Sequence, residues 1–250
     1  MDKAAKPLRL KELRWQEFRA RVPGEYDAVV IPVGTVEAHG VIPLGTDIII
    51  PEYLADKLAA RLGLVVAPAV NYGVTRALLA YPGSHTVSSA AFRDYVSDVF
   101  VGFGRMGFRK LVVVNGHGGH FDELKEAASR AFRETGLFTV VLHWWVMAPE
   151  ACVDVYGAEG GHASAEETAA IQVAAPDLLD VGALAGLKAW VPPAGVFVVP
   201  FPRPASVKEA GRGMPDGDAR KARDYLARIE EKCYQTVAAA FDGWREELGK

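Results

Sequence analysis

The chain has 250 residues, 50% of them hydrophobic and 24% charged, with a formal net charge of −3. That is enough apolar material for a substantial core, and the lack of any basic stripe argues against a nucleic-acid surface. The longest apolar runs, at 111–114 and 196–199, fall far short of a membrane span. The charged start MDKAAKPLRLKELRW lacks the apolar core of a signal peptide, so a cytoplasmic protein is expected.

Residues 27–33 (DAVVIPV) read as a strand ending at Gly34, and 50–62 have helical spacing. A short apolar strand follows at 64–67, closed by Pro68. Residues 89–106 read as a long helix, with apolar positions at Phe92, Val96, Val99 and Phe103. The clearest buried strand is 110–115 (KLVVVN), followed by a helix at 122–135 and a strand at 138–146. Further on, 163–174 look helical, 190–203 are apolar and punctuated by proline, and 211–218 form a Gly/Pro/Asp-rich loop. A long amphipathic helix spans 218–248, with a bend expected near Gly243. Strands alternating with helices imply βαβ units and a mostly parallel sheet covered on both faces. Ligands gather at the carboxyl ends of such strands. With no internal repeat or low-complexity linker, one domain over 1–250 is expected. Cys152 and Cys233, far apart, read as reduced thiols.

Polar residues crowd at three strand or loop ends. In 33–47 (VGTVEAHGVIPLGTD), Glu37 and His39 are two apart and project the same way if the segment is extended. A turn through 43–46 then brings Asp47 back towards them. Carboxylates with an imidazole suit zinc or manganese; the plain alternative is a solvated loop whose residues cap turns. In 115–120 (NGHGGH), the glycines let the backbone turn sharply beside a ligand, and His117 sits where a strand-end ligand belongs. A phosphate cradle is the rival there, but the P-loop and dinucleotide spacings are both missing. In 159–168 (EGGHASAEET), His162 and Glu166 lie four apart at a helix start and Glu167 follows, although acidic residues there also complement the helix dipole. Four of the six histidines fall in these three segments.

These segments resemble the three signature stretches of the creatininase (creatinine amidohydrolase) family. YPGSHTVS at 81–88 is similar to its strand-entry motif, and PFPRPASVKEAGRG to its substrate-side loop before the last helix. The likeness runs in order from 33 to 212. It implies a three-layer α/β/α creatininase-like fold with a mostly parallel central sheet, usually assembled as a homohexamer. It also implies two divalent metal ions, Zn2+ or else Mn2+ or Fe2+. By position, Glu37, Asp47 and His117 would hold one metal, and His39 with the bridging Asp47 the other. Where the family's name-giving members carry a glutamate two residues after the loop histidine, this chain has Gly119, and Glu167 matches the alternative ligand. His162 matches the catalytic histidine, with Glu159 or Glu166 expected to orient it. His120, standing where the pattern usually has asparagine, is expected to bind a substrate oxygen. One of Trp144 and Trp145 is expected to stack on a flat substrate, with core packing the alternative for each. The stretch from His39 to Asp47 is one residue shorter than the family pattern and lacks its second histidine.

The expected activity is hydrolysis of a C–N bond, in a cyclic amide or formamide, by metal-activated hydroxide. The alternatives are a metal- or nucleotide-binding module without turnover, or a C–C hydrolase or isomerase of cyclic polyol ketones using the same metals.

Overall fold

A computed structural model describes residues 7–249. The first six residues of the charged N-terminal stretch that argues against a signal peptide lie outside the described residues, as does Lys250. Five parallel strands form one sheet in the order β1-β3-β2-β4-β5: β1 Leu8–Arg9, β2 Ala28–Val33, β3 Val65–Val66, β4 Lys110–Asn115 and β5 Phe138–His143. Side chains alternate across the two faces, and each face buries its own core. Ala28, Val30, Val112, Val114 and Leu142 pack under α2 (Thr46–Leu62), α5 (Pro149–Tyr156), α6 (Ala165–Ala174) and α7 (Ala219–Leu248). Val29, Ile31, Leu111 and Val113 pack under α3 (Ser89–Arg105) and α4 (Phe121–Thr135), with Phe18 of α1 (Trp15–Arg21) at the margin. The three-layer α/β/α arrangement follows from strands apolar on both sides.

The register places Val33, Asn115 and His143 in one row at the carboxyl ends of β2, β4 and β5. The segments that follow these strands therefore open on the same edge of the sheet, as expected for an open parallel sheet.

Several boundaries differ from the sequence reading. Helix α2 begins at Thr46, four residues early, so Asp47 lies in its first turn rather than after a loop. The Thr46 hydroxyl donates to the Pro43 carbonyl at 2.7 Å, closing the turn that starts the helix. Strand β5 stops at His143, and Trp144–Val146 form a 3-10 turn. Strand β1 and helices α1 and α5 were not anticipated; the strand has two residues and the helices seven and eight, too short for periodicity to show. Helix α7 runs unbroken through Gly243, capped by Asp218, whose carboxylate accepts from the Arg220 amide at 2.8 Å. Cys152 and Cys233 are both free, as read from the sequence, and both are buried.

Candidate metal centre

Asp47 is held by a tight backbone seat. A Cβ on Gly34, just past β2, or on Gly116, just past β4, would lie 2.1 Å from the Asp47 carbonyl oxygen. Only glycine lets the two strand ends approach the first turn of α2 this closely. Pro51 sits four residues on and has no N–H to offer that carbonyl. The shortened stretch from His39 to Asp47 closes through a bridge between His39 and Ile42, with Gly40 at φ +54°.

The Asp47 carboxylate faces two imidazoles, one on each oxygen. Oδ1 lies 2.9 Å from His39 Nε2, and Oδ2 lies 2.8 Å from His117 Nδ1. Glu37 Oε1 is 3.3 Å from His117 Nδ1, and Glu167 Oε2 is 3.9 Å from His39 Nε2. The donor atoms of Glu37, Asp47 and His117 all lie within 4.8 Å of one another, and so do those of His39, Asp47 and Glu167. A third such group, Glu37, His39 and His162, shares members with both.

The donor chemistry fits divalent cations. His39 Nδ1 donates to the Glu37 carbonyl at 3.0 Å, so Nε2 is the nitrogen turned to the carboxylates and available as a ligand once deprotonated. That Nε2 is buried and makes no hydrogen bond of acceptable geometry, although Asp47 is close. A buried nitrogen facing a buried carboxylate without a well-formed hydrogen bond suits a common metal partner. Burial opposes charge on His39, but Asp47 and Glu167 outweigh it and raise its pKa to about 10. His117 is likewise raised, against burial, by Glu37 and Asp47. Burial lifts Glu167 to about 8, while Asp47, although buried, is held low by His39 and His117. Without metal, protons therefore occupy the places that cations would take.

Gly119 permits this arrangement. A Cβ there would lie 2.3 Å from the Val74 carbonyl oxygen and 2.7 Å from His117 Nε2. No side chain fits at that position while His117 keeps its pose, and Glu167 reaches the His39 side from α6 instead.

His162 is placed differently from expectation. Its Nε2 donates to the Ala38 carbonyl at 2.8 Å, and its Nδ1 lies 3.8 Å from Glu37 Oε1. The ring is thus oriented by a main-chain carbonyl, not by Glu159 or Glu166. Glu159 is exposed at the cavity wall, and Glu166 is buried, accepting from the Ser164 hydroxyl. Burial, then the neighbouring His39, lowers the His162 pKa to about 4, so it is neutral at pH 7. Ala163, beside it, holds φ +51°, a left-handed conformation unusual for alanine. Its amide donates to Glu167 Oε2 at 2.6 Å, linking the strained turn to the donor group.

The centre opens into a cavity of about 690 Å³. Trp145 lines it, but Trp144 is fully buried in the core and does not. His120 also lies outside it, fully buried with both ring nitrogens bonded to protein, which removes it as a substrate-oxygen ligand. Among the lining residues that sequence reasoning did not single out are Arg76, Lys208, Phe197 and Phe201. Apart from Arg76, the signal was the proline-punctuated segment and the loop after it; only the tertiary fold brings Arg76 across.

A family model described as creatinine amidohydrolase matches residues 11–241. A creatinine amidohydrolase of Pseudomonas putida is 29% identical over 257 aligned positions, covering 95% of this chain and 96% of that protein. A crystal structure of creatinine amidohydrolase superposes with a TM-score of 0.77 at 25% identity, over 98% of this chain and 100% of the other. A mutant creatininase in a Zn–Zn form gives a TM-score of 0.76 at 27% identity, again over 98% and 100%. With its fold, its strand-end carboxylates and imidazoles and this match all in agreement, the chain belongs to the creatininase family of hydrolases acting on carbon–nitrogen bonds other than peptide bonds.

Proposed function

We propose that this protein is a dinuclear metal-dependent amidohydrolase that opens a cyclic amide or cleaves a formamide in a small molecule, working as a cytoplasmic homohexamer of one-domain subunits. The observation that carries the reading is the Asp47 carboxylate, whose two oxygens serve two separate donor groups. Glu37, Asp47 and His117 would hold one cation, and His39, Asp47 and Glu167 the other. When bound, the pair supplies Lewis acidity and a water acidified towards neutral pH.

The chain's own groups supply positioning and proton transfer. With its Nε2–H given to the Ala38 carbonyl, His162 presents the Nδ1 lone pair. Being neutral at pH 7, it takes up a proton there and returns it to the departing nitrogen, which must be protonated to leave. The cavity, at about 690 Å³, is in the range for a small ligand. Trp145, Phe197 and Phe201 give it an apolar wall against which a flat amide can lie. The hexamer rests on the family resemblance, and sedimentation of the purified protein tests it.

Asp47→Ala is expected to remove bound zinc and all amide hydrolysis while circular dichroism stays native. The assay is a panel of cyclic amides, read by appearance of the ring-opened amino acid, and of formamides, read by formate release. Full activity in Asp47→Ala, or in chelator-stripped protein, sinks the scheme. Release of neither product by metal-loaded native protein, with turnover of a cyclic polyol ketone, would favour C–C chemistry instead.

A further inference from the structure

His120 is bonded on both sides and sits one peptide away from the metal donors. Its ring is stacked on Phe92 with centroids 4.2 Å apart, and a Cβ on Gly73 would lie 1.9 Å from its Nε2. The ring is therefore clamped between an aromatic face and a glycine backbone. Its hydrogen bonds allow one tautomer only. Asn115 Oδ1 accepts from the His117 main-chain N–H at 3.2 Å, which fixes the orientation of that amide. The same oxygen lies 3.1 Å from His120 Nδ1, so Nδ1 is the nitrogen that donates. At the other end, His120 Nε2 accepts from the Val74 N–H at 3.1 Å.

Val74 then turns its carbonyl to the metal ligand. His117 Nε2 donates to the Val74 oxygen at 2.9 Å, which leaves His117 Nδ1 as the nitrogen facing Asp47 and Glu37. The ring of contacts closes through Asn115, whose Nδ2 donates to the His117 carbonyl at 2.8 Å. His120 stands where the family pattern usually has asparagine, so this circuit belongs to this chain's own sequence.

We propose that His120 is a positioning residue for the metal centre, pinning the Val74 peptide so that its carbonyl fixes His117 as an Nδ1 ligand. The inference rests on His117 being a metal donor. Partners that orient a ligating histidine through its second nitrogen commonly contribute about 10- to 100-fold to metal affinity.

Two measurements test it. In ¹⁵N-labelled native protein, two-bond ¹H–¹⁵N correlations of the histidine rings read each tautomer directly. His120 is expected to carry its proton on Nδ1; a proton on Nε2 overturns the proposal, because that nitrogen could not then accept from Val74. In the zinc-loaded protein His117 is expected to keep its Nε2 proton. Separately, zinc affinity by chelator competition is expected to fall about 10- to 100-fold in His120→Leu. His120→Gln, whose amide oxygen can still accept from the Val74 N–H, is expected to recover most of that loss. A folded His120→Leu with affinity within roughly twofold of native overturns the role, the expected loss being about tenfold or more. Should His120→Leu fail to fold, His120→Gln and the native tautomer decide: a Gln variant as weak as its metal-site neighbour Asp47→Ala also counts against it. Native protein that takes up no zinc would sink the metal reading itself, while the tautomer is still read in the metal-free protein.

Discussion

Gly119 shows how one missing side chain bears on the proposed ligand set. The loop histidine needs its Nε2 on the Val74 carbonyl, and a Cβ at 119 would sit 2.7 Å from that nitrogen and 2.3 Å from that oxygen. Gly119→Ala is therefore expected to displace His117 and lower zinc affinity by about tenfold or more, as misplacement of a ligand commonly does. Titration with zinc against a competing chelator checks it; native affinity would mean that the loop yields without cost. The same reading puts the remaining carboxylate on Glu167. Glu167→Gln is expected to bind one zinc tightly where the proposed centre of the native protein would bind two, and metal analysis after dialysis distinguishes the cases. At this scale the sequence showed the residue types but not their aims. Glu37, His39 and Asp47 were visible as a chemistry-bearing triplet, whereas the partners that orient the rings are main-chain carbonyls of Ala38 and Val74, which no side-chain pattern reveals.

Helix α2 and the strands it seats on act as one unit. Gly34 and Gly116 hold the Asp47 carbonyl between β2 and β4, so the pose of this proposed metal donor depends on helix–sheet packing. A Cβ at 116 would also lie 2.7 Å from Pro51 Cγ, and the obstructing atoms are backbone or a stiff ring. Gly116→Ala is expected to cost about 1–3 kcal/mol by overpacking and to weaken zinc binding with it. Gly102, inside α3 with open space around its would-be Cβ, is the matched control. Gly102→Ala is expected to gain about 0.5–1 kcal/mol from helix propensity and leave zinc binding alone. Thermal unfolding of the two variants side by side tests the pair; equal effects would remove the seat argument. A helical pattern was legible for α2, α3, α4, α6 and α7, and β4 matched its residues. What it could not show was that Thr46 and Asp47 already belong to α2, because a first turn has no preceding turn to set a period.

The whole molecule couples protonation to metal uptake. His39 is raised to about 10 and Glu167 to about 8 in the metal-free protein. A group raised above its unfolded value stabilises the fold fully below that value and stops doing so as pH climbs through the folded one. For His39 that window runs from its ordinary 6.5 up to about 10, and for Glu167 from 4.5 up to about 8. The metal-free protein is thus expected to lose stability between pH 7 and 10. Cations need these groups deprotonated, so binding releases protons and strengthens over the same range. The rise in Tm on adding zinc should grow from pH 6 to 8, and calorimetry in buffers of different ionisation heat should show proton release. A Tm increment that shrinks with rising pH would contradict the donor assignment. Among the described residues no helix is long and apolar enough to cross a membrane, in keeping with the short apolar runs of the sequence.

The sequence by itself determined the class of the fold, through strands apolar on both faces alternating with amphipathic helices. It also determined where chemistry collects, because glycines and imidazoles followed the strands directly. Only the tertiary structure decided which of those residues face one another. His120 and His117 are three apart in one loop, yet one is sealed against Phe92 and the other aims at Asp47. Trp144 and Trp145 are neighbours, and one fills the core while the other lines the cavity. Residue type and spacing fix what a side chain can do. Its direction is set by contacts from segments far away in the chain, such as Val74, Ala38 and α6, which local pattern does not encode.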